Sequence, residues 1–108
     1  MDRAISFHDS ALVRVEREGA RLRLVFESVF VDGDLREAVL VLVDVGKVWR
    51  DDILVGEFVM ERADGEVLTL KRTATTLFLV LVWCDYQPTR ETTRIYRFKC
   101  GSVELEIA

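Results

Sequence analysis

The chain has 108 residues, half of them apolar, with 19 acidic side chains against 15 basic ones and a formal charge of −4. That length accommodates one domain, spanning residues 1–108, around a single hydrophobic core, and needs no metal or disulfide to hold it. The acidic balance argues against a general nucleic-acid-binding surface, while the charged start Met1-Asp2-Arg3 and the lack of any apolar run near ~20 residues predict neither a signal peptide nor a membrane span, and hence a cytoplasmic protein.

From Ala11 to Glu18 apolar and charged residues alternate, with Ala11, Val13 and Val15 on one face and Arg14, Glu16 and Glu18 on the other, the period of a half-buried strand. Glu18-Gly19-Ala20 reads as a turn. The alternation then restarts with Leu22, Leu24 and Phe26 facing inward and Arg21, Arg23 and Glu27 outward, so the two segments predict an antiparallel hairpin. Asp32-Gly33-Asp34 is a second turn, because glycine accepts positive φ and aspartate bonds its own following backbone. Ala38 to Val45 is apolar on both faces and dense in valine, which predicts a strand covered on both sides; Leu35, Ala38, Val39 and Leu42 also fit a helix from Asp34 to Leu42, and the β-branched residues favour the strand.

Gly46 to Asp52 is irregular, and Ile53-Leu54-Val55 reads either as a strand start or as a helical turn. Glu57 to Ala63 and Val67 to Arg72 are expected to form a second hairpin about the Asp64-Gly65 pair. Leu77 to Cys84 is the longest apolar run and is expected as the innermost strand. A loop from Asp85 to Arg90 holds the only proline, Thr92 to Cys100 places Tyr96, Phe98 and Cys100 on one face, and Val103, Leu105 and Ile107 alternate with Glu104 and Glu106 in a last strand. Seven or eight short strands joined by tight turns predict an all-β fold, a largely meandering antiparallel sandwich or barrel.

His8 is the only histidine, and His8-Asp9-Ser10 carries the residue types of a nucleophile, base and acid. Neighbours on an extended chain point in different directions, whereas a triad is assembled in space from separate elements, so these three are expected to be structural, with Asp9 or Ser10 bonding local backbone. Cys84 and Cys100 are too far apart for a CxxC pair and lack a nearby histidine; they are expected as small core or strand-end residues rather than zinc ligands or a disulfide. No catalytic set, metal site or cofactor loop is read, and no cofactor is expected. Trp49, Trp83, Asp85, Tyr86 and Arg90 are the candidate interface residues, since tryptophan, tyrosine and arginine anchor protein contacts, with the core as the competing place for Trp83. Arg14, Arg17, Arg21 and Arg23, interleaved with Glu16, Glu18 and Glu27, read as a solvated face of mixed sign.

Phe7-His8-Asp9-Ser10 running directly into the strand from Ala11, with Trp83-Cys84-Asp85-Tyr86 downstream, resembles the start of small bacterial β-domains, some of which are similar to immunity proteins of polymorphic toxin systems. The resemblance implies a cytoplasmic protein that binds another protein and brings no catalytic residues. The expected function is therefore a non-enzymatic interaction module, of the immunity-type inhibitor kind that the resemblance implies, whose acidic charge suits a basic toxin. A small-molecule-binding β-barrel and a self-associating structural domain are the alternatives.

Overall fold

The computed structural model describes residues 5–86 and 89–107, without the side chains of Tyr86 and Thr89. Its strands are β1 (Ile5–Ser6), β2 (Ala11–Glu18), β3 (Arg21–Val31), β4 (Asp34–Val43), β5 (Lys47–Arg50), β6 (Ile53–Val55), β7 (Gly65–Arg72), β8 (Thr76–Tyr86), β9 (Thr89–Lys99) and β10 (Ser102–Ile107). The domain is all-β as the alternation predicts, with ten strands rather than seven or eight. All belong to one antiparallel sheet in the order β10-β4-β3-β2-β7-β8-β9-β5-β6, with β1 beside β3. Two meanders, β2-β3-β4 and β7-β8-β9, are local, as expected. The pairings β4–β10, β5–β9 and β2–β7 join segments distant in sequence.

Aspartate and glycine set the tight turns. Glu18 pairs with Arg21 around Gly19-Ala20, where Gly19 has φ 62°. Val31 pairs with Asp34 around Asp32 and Gly33, both at positive φ, as a turn of the I′ type requires. The irregular stretch from Gly46 to Val55 resolves in the same way: Arg50 pairs with Ile53 across Asp51 and Asp52, at φ 51° and 65°, so a third hairpin takes the place of a helical turn. Aspartate tolerates this region because its short carboxylate bonds nearby backbone. Asp34 to Leu42 is strand, with Ala38, Leu40 and Leu42 buried in the main core and Val39 and Val41 buried on the opposite face.

Two bulges alter the faces read from alternation. The β2–β3 register skips at Val13, so Leu12, opposite Phe26, and Val15, opposite Leu24, both face the core, while Val13 and Arg14 turn outward. Leu12 is fully buried, which corrects the assignment of Ala11, Val13 and Val15 to a common inner face. A second skip, between Phe26 and Val29, places Ser28 at φ 60° and returns Val29 and Val31 to the core.

The expected hairpin about Asp64-Gly65 does not form. Residues 56–64 contain no strand and cross as a strap, whose Phe58 is buried with its ring 4.8 Å from Tyr96 and 5.5 Å from Phe98. Gly65 instead opens β7, between Leu12 of β2 and Trp83 of β8. A Cβ built on Gly65 would stand 2.9 Å from the Trp83 indole, so glycine is required here for close approach rather than for a turn. Around the same point Asp9 N–H donates to the Val67 carbonyl at 2.9 Å, and Val67 N–H donates to the Ser10 carbonyl at 2.8 Å. This seam is where β2 meets β7, since β2 pairs with β7 only at Ala11 and Leu12.

One face of the folded sheet encloses the main core, filled by Trp83, Tyr96, Phe26 and Phe98 together with leucines from β2, β3, β4 and β8. β8 is central to this core but is not covered on both sides. Leu77, Leu79, Leu81 and Trp83 are buried, whereas Phe78, Val80, Val82 and Cys84 are half-buried on the outer face. Among the described residues no helix is long and apolar enough to cross a membrane.

Substituting Gly65→Ala is expected to destabilise the fold by ~1–3 kcal/mol, the usual cost of overpacking, because Trp83 is buried and held by a hydrogen bond. Urea unfolding followed by tryptophan fluorescence checks this; an unchanged midpoint would mean that the indole does not press on the glycine.

Candidate interaction surface

The outer faces of the sheet differ in what covers them. On β3 and β4, Val25, Val39 and Val41 are buried from solvent, with charged residues beside them on the same face. The Arg23 guanidinium there reaches Glu106 of β10 at 3.2 Å. On β7, β8, β9, β5 and β6 the register aligns Lys71, Phe78, Arg97, Trp49 and Leu54 in one cross-strand row, because opposed residues of an antiparallel ladder share a face. Val80 and Ile95 form the next row. Ile95 is 42% exposed and Leu54 60%. This apolar surface lies open.

Arg97 organises its centre. The guanidinium stands 5.2 Å from the Trp49 ring centroid, within cation–π range. Its Nη2 also donates to Asp52 at 2.9 Å, so the turn aspartate steers it over the indole. Trp49, Phe78, Arg97 and Lys99 line a shallow cleft of about 380 Å³ with Thr76, Leu77 and Phe98. The arrangement suits contact with another surface: a planar aromatic, a charged donor fixed in place and cations at the margin.

The opposite, core side of β9 carries a polar chain that pins the strap. Trp83 Nε1 donates to the Tyr96 hydroxyl at 2.9 Å, and that hydroxyl donates to Glu61 Oε2 at 3.1 Å. Arg94 Nε donates to the same carboxylate at 3.0 Å, and its Nη1 donates to Asp51 at 2.9 Å. Asp51 also accepts the Ile95 N–H at 2.9 Å, and its own N–H donates to the Ile95 carbonyl at 2.7 Å. The bond from the Ile95 amide, with Arg94 adding to it, holds the Asp51 carboxyl below its ordinary value of 3.8. Burial pushes the Tyr96 phenol well above its ordinary value, so it stays a hydrogen-bond donor.

The residues singled out in the sequence do not gather into one site. His8 is exposed; its Nδ1 bonds the Leu68 carbonyl at 2.8 Å, which assigns the proton to that nitrogen, and its Nε2 faces Asp9 at 3.5 Å. Buried Ser10 directs its hydroxyl to the Phe7 carbonyl, so histidine and serine do not bond each other. Trp83 is 2% exposed and belongs to the core, which removes it from the candidate interface. Asp85 bonds Arg62 of the strap at 3.0 Å, and Arg90 is exposed in register with Asp85. The side chain of Tyr86, like Gln87 and Pro88, lies outside the described residues. Of the four candidates whose side chains are described, Trp49 alone sits on the open apolar face.

Cys84 and Cys100 are free thiols separated by about nine residues along the β8–β9 ladder, ~31 Å at ~3.4 Å per residue, and are not neighbours. Burial raises the Cys100 thiol above its ordinary value. Among the described residues no group of three His, Cys, Asp or Glu side chains is placed to hold a metal ion. Arg97, Phe78 and Asp52 were not singled out from sequence. The alternation of Phe78 with buried leucines marked its face, but the proximity of Trp49 to Arg97 depends on a pairing between β5 and β9. Comparison with protein-family models, with curated proteins and with solved structures finds no match to this chain.

Two outcomes follow from the polar chain. Tyr96→Phe leaves the Trp83 N–H without its acceptor and is expected to cost ~1–3 kcal/mol, read as a lowered urea midpoint. Asp51, whose folded pKa is depressed, contributes stability that is present in full above 3.8 and lost as pH falls through the lower folded value. Asp51→Asn is therefore expected to be less stable than the parent at neutral pH and to converge with it at strongly acid pH. A stability gap that stays constant from pH 7 to pH 2 would contradict this.

Proposed function

We propose that the chain is a non-enzymatic protein-binding module that engages its partner through the outer face of β8, β9, β5 and β6. The observation carrying this reading is the row Phe78, Arg97, Trp49 and Leu54, an apolar strip centred on a fixed tryptophan–arginine pair. Tryptophan and arginine dominate the energetics of protein interfaces when they become desolvated together. The non-catalytic part of the reading rests on the separate engagement of His8 and Ser10 with backbone carbonyls.

Within that class, an immunity-type inhibitor of a bacterial toxin is the reading that the Phe7-His8-Asp9-Ser10 resemblance favours. The chain is acidic as a whole, but Lys71 and Lys99 border the apolar strip around its Trp49–Arg97 centre, so the partner surface for this face carries acidic groups at its rim. The small-molecule barrel has less support, because aromatic and leucine side chains occupy the interior where a ligand would sit.

Co-expression with the products of neighbouring genes, followed by affinity capture, tests the reading. A specific partner is expected, and Trp49→Ala combined with Arg97→Ala is expected to weaken it at least about thirtyfold, equivalent to ~2 kcal/mol. A partner held equally well by the double variant would place the interface elsewhere. Light scattering that shows a stable homodimer sensitive to the same substitutions would replace the hetero-partner by a second copy.

A further inference from the structure

A second surface lies at the free edge of the sheet. β6 ends the strand order, and β2 beyond Leu12 has no pairing partner on the edge away from β3 among the described residues. The two edges border one cleft of about 350 Å³, lined by Arg17, Gly19, Ala20, Arg21 and Leu22 from the β2–β3 hairpin and by Val45 to Val48 and Leu54 to Gly56 from the other side.

Backbone geometry directs unused polar groups toward this cleft. In a hairpin with a two-residue loop, the residues flanking the loop exchange both hydrogen bonds and the next pair exchanges none. Glu18 and Arg21 flank one such loop, so the N–H and C=O of Arg17 point to the free edge of β2. Arg50 and Ile53 flank another, so the N–H and C=O of Leu54 point to the free edge of β6. A segment running between the two edges would find donors and acceptors on each side.

Side chains then select the occupant. The floor is apolar, from Leu22, Val45, Val48 and Val55, and the charged residues lining the cleft are the three cations Arg17, Arg21 and Lys47. Glu57 reaches Arg17 at 3.6 Å from the rim; Arg21 and Lys47 form no ion pair among the described residues. Edge strands in folded proteins are normally blunted against pairing, and lysine or arginine at an edge repels cationic chains while leaving it open to anionic ones.

We propose that this cleft binds an extended peptide segment of a partner protein, adding it as a strand beside β6, with apolar side chains on the cleft floor and alternate acidic side chains against Arg17, Arg21 and Lys47. Strand addition draws its affinity from main-chain hydrogen bonds and its specificity from alternate side chains. The site shares only Leu54 with the outer-face surface and does not depend on it.

The test uses the whole chain and two fluorescent octapeptide pools, in which Val, Ile and Thr alternate either with Asp and Glu or with Lys and Arg. The acidic pool is expected to bind at least tenfold more tightly, and the charge reversal R17E/R21E/K47E is expected to remove that preference. N-methylation of the peptide amides at alternate positions is expected to abolish binding, and amide resonances of residues 15–18 and 53–55 are expected to shift. Trp49→Ala is expected to leave peptide binding unchanged, which separates this site from the outer face. Thermal unfolding of each variant checks that it is folded; if the triple reversal is unstable, the single change Arg21→Glu, at the exposed hairpin position, serves with a smaller loss expected. Absence of binding by the acidic pool at millimolar concentration, equal binding of both pools, or binding unaffected by charge reversal and N-methylation would overturn the proposal.

Discussion

The approach of the Trp83 indole to Gly65 is the contact around which the molecule is arranged. Gly65 pairs with Leu12 on one side and Trp83 on the other, and through it the β2-β3-β4-β10 half of the sheet continues into the β7-β8-β9-β5-β6 half. A side chain on residue 65 would meet the indole, and the indole is held at its other end by the Tyr96 hydroxyl. A short seam therefore fixes how the sheet folds on itself. The same seam explains the compact Phe7-His8-Asp9-Ser10 segment: Asp9, at φ 65°, and Ser10 exchange backbone hydrogen bonds with Val67, and Phe7 packs edge-on to Phe26 with ring centroids 5.2 Å apart.

From Tyr96 the constraint passes outward. Its hydroxyl and Arg94 both bind Glu61, which draws the strap across the core end of β9, and Phe58 seals the aromatic cluster beneath. Arg94 continues to Asp51, so the β5–β6 turn is tied to the same strand. Asp52, the next residue of that turn, steers Arg97 on the other face of β9. The inner polar chain and the outer tryptophan–arginine pair thus share one turn, and a partner docking on Trp49 would act on a surface held in place by the core.

The candidate surface was only partly legible in the sequence. Trp49 stood out as a tryptophan in an irregular stretch, but its partners Arg97 and Phe78 lie about fifty and thirty residues away in sequence and meet it through the β5–β9 and β8–β9 ladders, with cross-strand neighbours as the unit of contact. Trp83 illustrates the converse. Its residue type suits either an interface or a core, and its position above a glycine decided for the core. The Asp64-Gly65 pair carried the strongest short turn signal, yet glycine serves close packing as well as turns, and the indole that needed the space is eighteen positions further on.

What the amino-acid order settles here is local: alternation with period two over Leu22 to Phe26 and Val103 to Ile107, and an unbroken apolar run rich in Leu and Val over Leu77 to Trp83, make these segments strands, and Gly19 and Asp32-Gly33 close hairpins because their backbones accept positive φ. Even the Asp51-Asp52 turn is local chemistry, though aspartate pairs signal it less strongly than Asn-Gly or Asp-Gly. The bulges at Val13 and Ser28, the passage of β10 to the edge of β4, and the meeting of β2 with β7 arise from a different cause. Each depends on which distant strand offers a complementary apolar face once the sheet folds over a single core, and that choice is made by packing among Leu12, Phe26, Trp83 and Tyr96 rather than by any short window of the chain.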